Sequence, residues 1–186
     1  VPDARYVLVG IPTDAEVLMR RAAELGIANH IVALGQLDAA SVEDAYRAAD
    51  VFALTSVSTS SGDVEGFGVV VAEAALSGTP SVVTRCSGVE ETLEHGTTAI
   101  VAEPTSASIA DGLVALLSDR ATRERIGAQA RRRALAEGTW ELRSQEYGVV
   151  MDLVVVDKRP RILVISHTEY FRNADGAFAG FGPTVR

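Results

Sequence analysis

The stretch Val51–Thr84, VFALTSVSTSSGDVEGFGVVVAEAALSGTPSVVT, carries the decision about fold. It opens on a short apolar run, Val51–Thr55, that reads as a strand. The loop that follows, Ser56–Gly66, is too rich in Ser and Gly for regular structure. Gly66 and Gly68 then stand where the loop turns into an apolar segment, and Gly68–Leu76 reads as a helix stopped by Gly78. Pro80 introduces a second strand, Ser81–Thr84. A strand, a crossover helix and another strand make the repeating unit of a parallel sheet.

The same alternation extends both ways from this unit. Upstream, Arg5–Gly10 (RYVLVG) reads as a buried strand ending in glycine, and Thr13 with Glu16 forms a capping box before a helix that Gly26 stops. His30–Leu34 is a further strand, and Ser41 with Asp44 is expected to open a helix reaching about Ala49. Downstream come a short helix at Gly88–His95 and a strand at Thr98–Ala102. An amphipathic helix follows, marked by Ile109, Leu113, Leu116 and Leu117. A second helix covers about Ala121–Ala136, and a third begins near Trp140. Five strands in strict alternation with helices predict an α/β, doubly wound parallel sheet of Rossmann-like type, whose ligands bind beyond the carboxyl ends of the strands. Residues 1–152 are expected to form this domain and residues 153–160 a linker that ends in the charged run Asp157–Pro160. Residues 161–186, which open on the strand-like Arg161–Ser166 and pass into the glycine-rich Asp175–Gly182, are expected to be the truncated start of a second α/β domain.

Composition excludes several classes. A formal charge of −8 argues against nucleic acid as the main partner, and Arg131–Arg133 reads as a solvated helix face. One cysteine, Cys86, excludes an internal disulfide and fits a reducing compartment. His30, His95 and His167 lie far apart with no second ligand at metal-binding spacing, so no metal is expected. No run is long and apolar enough to span a bilayer. A cytoplasmic location follows, with peripheral membrane docking left open. The chain begins at Val1 rather than methionine, so an upstream segment is expected.

The chemically informative segment is Glu65-Gly66-Phe67-Gly68-Val69-Val70-Val71-Ala72-Glu73. The first helical amides, around Gly68–Val70, lack intrahelical acceptors and, with the helix dipole, suit an anion such as a diphosphate. Glu73 sits inside the run VVVAEAAL, where burial is expected, and a buried carboxylate needs a partner. Ribose hydroxyls would serve, and so would a core arginine such as Arg85. Glu65 precedes the helix and can face the leaving or transferred group. A glycine-bounded helix start is also common in α/β proteins that bind nothing, so the residues alone leave both readings open.

The segment Glu65–Glu73 resembles the E-x7-E signature of the retaining GT-B glycosyltransferases, the glycosyl transferases group 1 family. His30–Leu37, Ala48–Ser56, Gly78–Thr84, Ser87–Glu91 and Thr139–Trp140 resemble other family segments in the same order and spacing. The resemblance covers about Val1–Tyr147 and implies the nucleotide-sugar donor domain of such an enzyme, its first βα unit missing. It implies that Glu73 holds the ribose and that Glu65, the candidate catalytic residue, orients the donor sugar. Gly66, Phe67, Gly68, Val69 and Val70 would hold the sugar and diphosphate, while Gln36, Leu37 and Asp38 line the nucleobase. It further implies transfer with retention, a UDP- or GDP-linked donor, a glycan, lipid or other hydroxyl acceptor, and neither metal nor cofactor.

Departures from the family pattern are visible. The family's preceding strand and helix, with an Arg and a Lys for the diphosphate, are not in this sequence. Gly10-Ile11-Pro12 lacks a second glycine, and Ser87-Gly88 replaces a glycine pair. The acceptor domain is not here as a whole, so these residues alone are expected not to turn over. Arg161–Arg186 resembles the opening strand and loop of a GT-B acceptor domain, which suggests tandem modules. The missing first strand of a Rossmann-type domain is central, so two half-sheets are expected, with Ile162–Ile165 apolar enough to fill the gap. A degenerate, non-catalytic nucleotide-sugar-binding or interaction module is the alternative. A dehydrogenase-like domain is disfavoured, because no G-x-G-x-x-G joins the first strand to its helix.

Overall fold

The computed structural model of the protein describes residues 1–11, 15–57, 68–85, 88–137 and 140–155. The Thr13 cap, most of the polar loop with Glu65, Gly66 and Phe67, the Cys86–Ser87 pair and the segment 161–186 with His167 lie outside them. The chain divides into two compact units, Val1–Leu142 and Arg143–Arg186.

Within the first unit the order is β1 (Tyr6–Val9), α1 (Ala15–Glu24), β2 (Ile31–Gly35), α2 (Ala39–Ala48), β3 (Phe52–Leu54), α3 (Val69–Ser77), β4 (Ser81–Thr84), β5 (Ile100–Ala102), α4 (Ser106–Ser118) and α5 (Arg120–Glu137). Single 3₁₀ turns at Ala28–His30 and Val89–Thr92 complete it, the second replacing the short helix expected at Gly88–His95. Helix α6 spans Trp140–Val155. Asp38, not Ser41, caps α2: its side chain accepts from the Ser41 backbone N–H at 2.8 Å, which moves the helix start back to Ala39. An aspartate takes this place because a short carboxylate satisfies one of the orphan donors of the first turn.

Every strand pair is parallel. Among the described residues the ladders form two sheets, a pair β1-β2 and a triplet β3-β4-β5. Counting β1 and β2 as the second and third strands of the doubly wound order 3-2-1-4-5-6, the break falls at the place of the first strand. That agrees with the expected division into two half-sheets. The proposed filler, Ile162–Ile165, lies outside the described residues.

The triplet is built around β4, whose four residues are all buried. Side chains alternate across a strand, so Val82 and Val83 enter different cores. Val82 packs with Ala102, Leu116 and Ile126, and α4 closes this cluster with Ile109 and Leu113, as its periodicity predicts. Val83 packs with Val71 of α3 and Val89. The β1-β2 pair differs. The sequence reads β1 as buried, yet Tyr6, Val7 and Val9 are about half exposed and α1 buries only Ala22. A strand is buried when both edges are paired and both faces covered, and among the described residues β1 pairs along one edge alone.

Helix α5 approaches the turn after α3 closely. A Cβ on Gly127 would overlap the Gly78 carbonyl oxygen and sit 3.2 Å from Pro80 Cδ. Backbone cannot yield as a flexible side chain can, so Gly127→Ala is expected to lower stability by about 3 kcal/mol. Urea denaturation of the two proteins, compared at equal m-value, measures the difference.

Candidate functional site

The start of α3 lies against Val89, just beyond the carboxyl end of β4. The helix begins at Gly68, which adopts the left-handed conformation with φ 63° and ψ 42°. Two constraints require glycine here. An L side chain is strained at that φ, and a Cβ would lie 2.7 Å from Cγ2 of Val89, which follows β4 by one short loop. Gly68 is therefore wedged against the carboxyl end of β4, and α3 runs from there back to the strand starts, where Phe52 N–H donates to Pro80 O at 2.9 Å.

The first turn of α3 is tight, with Val71 N–H donating to Gly68 O at 2.8 Å. Val71 is buried, whereas Val69 is 54% exposed, so the helix start opens on one side. Helix geometry leaves the amides of Val69 and Val70 without acceptors inside the helix. Thr84, the last residue of β4, donates its hydroxyl to Ser56 O at 2.5 Å and ties the exit of β3 to the same edge. The positive end of the α3 dipole thus meets the carboxyl end of the triplet, an arrangement suited to an anion.

Glu73 departs from its expected environment. The apolar run around it suggested burial, but its side chain is exposed. Arg85 is not its partner, since Arg85 Nε pairs with Glu103 Oε1 at 3.1 Å. Instead the Tyr46 hydroxyl, from the last turn of α2, donates to Glu73 Oε2 at 3.0 Å. Burial, then the hydrogen bond and charge of Glu73, push the Tyr46 phenol well above its ordinary pKa of 10.0, so it stays a donor at physiological pH. Tyr46 is held in turn by an edge-to-face contact with Phe52, ring centroids 5.5 Å apart. Its own carbonyl accepts from the Thr79 hydroxyl at 2.6 Å.

Gln36, Leu37 and Asp38 follow the carboxyl end of β2, beside the bond from Gly10 N–H to Gly35 O at 2.9 Å. Gln36 and Asp38 are exposed and Leu37 is half-buried. The Asp38 carboxylate is occupied by its cap, and the Ser41 backbone N–H bond lowers its pKa below the ordinary 3.8. His30 and His95 serve backbone groups: His30 Nδ1 lies 3.0 Å from Ala4 O, and His95 Nδ1 accepts from Val101 N–H.

The expected residues therefore divide. Gly68, Val69, Val70 and Glu73 share one helix at the end of β4, and Gln36–Asp38 lie at the end of β2. Helix α2 links the two groups, capped by Asp38 at one end and bonded to Glu73 at the other. Glu65, Gly66 and Phe67 lie outside the described residues. Tyr46 and Thr84 escaped the sequence reading because their partners are 27 and 28 residues away, with no periodic signal between them.

Comparison with known proteins gives the family and the fold. Residues 1–133 match the family of glycosyl transferases group 1, and the chain belongs to that family. It is similar to the GDP-mannose-dependent alpha-(1-6)-phosphatidylinositol monomannoside mannosyltransferase of Mycolicibacterium smegmatis. The two are 34% identical over 145 residues, which cover 77% of this chain and 38% of that protein. The D-inositol 3-phosphate glycosyltransferase of Nocardia farcinica is also 34% identical, over 68% of this chain and 28% of its own. Among solved structures, Anabaena Alr3699/HepE in complex with UDP superposes with a TM-score of 0.70 at 25% identity, covering 84% of this chain and 42% of that one. The C-terminal domain of the group 1 glycosyl transferase LpcC of Francisella tularensis gives 0.66 at 25% identity, covering 75% and 72%. The chain thus spans about two fifths of the length of the first of these curated relatives.

Two outcomes follow from this geometry. Gly68→Ala is expected to cost about 2 kcal/mol from the left-handed backbone and the Val89 overlap together. Adding Val89→Ala should relieve the second part alone, which a double-mutant cycle in urea separates. The Asp38 cap has a pH signature. Because its folded pKa is depressed, its contribution is present above the ordinary carboxylate pKa and fades as pH falls through the folded value. The stability gap between wild type and Asp38→Ala should therefore be largest near neutrality and narrow below about pH 4, read by denaturation across that range.

Proposed function

We propose that this chain is the donor-binding half of a retaining glycosyltransferase, which holds a nucleotide sugar while an acceptor hydroxyl attacks the anomeric carbon. The observation that carries the reading is the start of α3. A glycine-led helix opens at the carboxyl end of β4, and an exposed carboxylate, Glu73, stands one turn further on, inside the stretch that matches the family.

In this reading the amides of Phe67, Gly68, Val69 and Val70 receive the diphosphate and donor sugar oxygens, with Gly66 allowing close approach. Glu73 accepts from the ribose hydroxyls. Glu65 orients the sugar hydroxyls beside the reacting carbon. Gln36 and Leu37 border the nucleobase, and Asp38, committed to capping α2, borders it by position. The diphosphate leaves as the acceptor approaches from the same face, so configuration is retained. Catalysis is electrostatic stabilisation of the departing charge, and the reading calls for no metal ion.

The relative named as GDP-mannose-dependent supports GDP-mannose as the first donor to test, and its phosphatidylinositol mannoside acceptor supports a glycolipid hydroxyl as acceptor. The UDP complex of the Anabaena protein keeps a UDP-linked donor as the second. No helix among the described residues is long and apolar enough to cross a membrane.

A thermal-shift panel tests the reading. GDP or UDP should raise the melting temperature of the 186-residue chain by stabilising the folded state. ADP should do so less, and Glu73→Ala should remove most of the shift. The isolated chain is expected to bind without transferring. A flat response to every nucleoside diphosphate sinks the donor reading, and sugar transfer by these residues alone sinks the assignment to half an active site.

A further inference from the structure

We propose that Tyr46 is a positioning residue for Glu73, aiming its carboxylate at the vicinal hydroxyls of a ribose and so setting the preference of the site for ribonucleotides over deoxyribonucleotides. The inference rests on the donor-site reading of Glu73 and adds a residue that the E-x7-E resemblance does not contain.

Glu73 projects from the middle of α3 with an exposed side chain. A glutamate in that position samples several rotamers, and a rotamer left free must be ordered when a ligand binds. Here one oxygen, Oε2, already accepts from the Tyr46 hydroxyl at 3.0 Å. A carboxylate has about four acceptor sites, so the bond to Tyr46 leaves capacity for two hydroxyl donors. A diol supplies those two donors and a deoxyribose does not.

Tyr46 is itself well held. Its ring meets Phe52 at the start of β3 edge-to-face, at an interplanar angle of 70°. Its backbone carbonyl accepts from the hydroxyl of Thr79, which is buried at the end of α3. The phenol is therefore fixed by β3 and by both ends of the α2–α3 contact, and it passes that order to the carboxylate. Tyr46 itself is not assigned a contact with the ligand. The same α2 carries Asp38 at its other end, so one rigid helix joins the nucleobase side to the residue that orients the ribose acceptor.

The experiment is calorimetric binding of GDP, UDP and their 2′,3′-dideoxy counterparts to the 186-residue chain and to Tyr46→Phe. Phenylalanine keeps the ring against Phe52 and removes only the hydroxyl. The wild type should prefer each ribonucleotide over its dideoxy form by about tenfold or more. Tyr46→Phe should cut that preference by about three- to tenfold while leaving affinity for the dideoxy forms unchanged, since one hydrogen bond to a charged group is lost. In a Glu73→Ala background, which removes the acceptor of the phenol, the Tyr46→Phe change should have no further effect, a cycle that a merely structural role would not reproduce. Should Tyr46→Phe melt without cooperativity, Tyr46→Met fills similar volume without a hydroxyl and gives the same readout.

A preference undiminished in these variants overturns the positioning role and leaves the donor reading standing. An equal loss of affinity for ribo and dideoxy forms overturns it too, because the tyrosine would then act through general packing. A wild type that binds neither nucleotide, or binds both sugars equally, overturns the ribose reading of Glu73 and the inference with it.

Discussion

The four buried residues of β4 are the constraint on which the rest of the described structure depends. Ser81–Thr84 is paired along both edges, with β3 on one side and β5 on the other, and covered on both faces. Each of its side chains is therefore assigned to a core by the two-residue period of the strand. Val82 commits α4 and α5 to one face, and Val83 commits α3 and the Val89 turn to the other. The position of Gly68 follows from the second commitment, because Val89 can pack on Val83 only if nothing but a glycine stands next to it at the helix start. The same close packing recurs at the far end of α3, where Gly127 of α5 rides on the Gly78 carbonyl. Helix α3 is held at both ends by close contacts, with the Val89 side chain at Gly68 and with Gly127 at the Gly78 carbonyl, that leave no room for a Cβ.

A helix clamped in this way makes a good anion site. Its dipole and first amides are set by covalent geometry and packing before any ligand arrives, so little reorganisation is left to binding. The carboxylate one turn along has a different physical status. It is exposed, and its direction depends on a single phenol borrowed from α2. In the proposed donor reading, the diphosphate end rests on main chain, whereas the ribose end rests on a side-chain relay. Family membership joins these parts into a glycosyltransferase reading, although the matched relatives are more than twice as long as the stretch they share with this chain.

The alternation of elements was legible because each signal is local. An apolar run ending in Gly35 marked β2, Pro80 introduced β4, the spacing of Ile109, Leu113 and Leu116 marked α4, and Gly78 marked the end of α3. Errors arose where burial depends on neighbours distant in sequence. Tyr6–Val9 has the composition of an interior strand, yet it is about half exposed, because among the described residues only one of its edges is paired. Glu73 has apolar neighbours on both sides in sequence, but the helix turns it away from Val71 and Ala74, the two buried residues of α3. The Asp38 cap was overlooked in favour of Ser41, since both are cap-forming residues and only backbone conformation decides between them.

By itself the sequence determined the α/β class, the parallel sense of the strands and the glycine-led start of α3, because periodicity and glycine placement act over a few residues. Tertiary structure alone decided that β1 is left about half exposed, that Gly68 abuts Val89, and that Glu73 answers to Tyr46 rather than Arg85. Those outcomes are contacts between residues far apart along the chain, and a contact of that kind has no energy until packing brings its partners within reach.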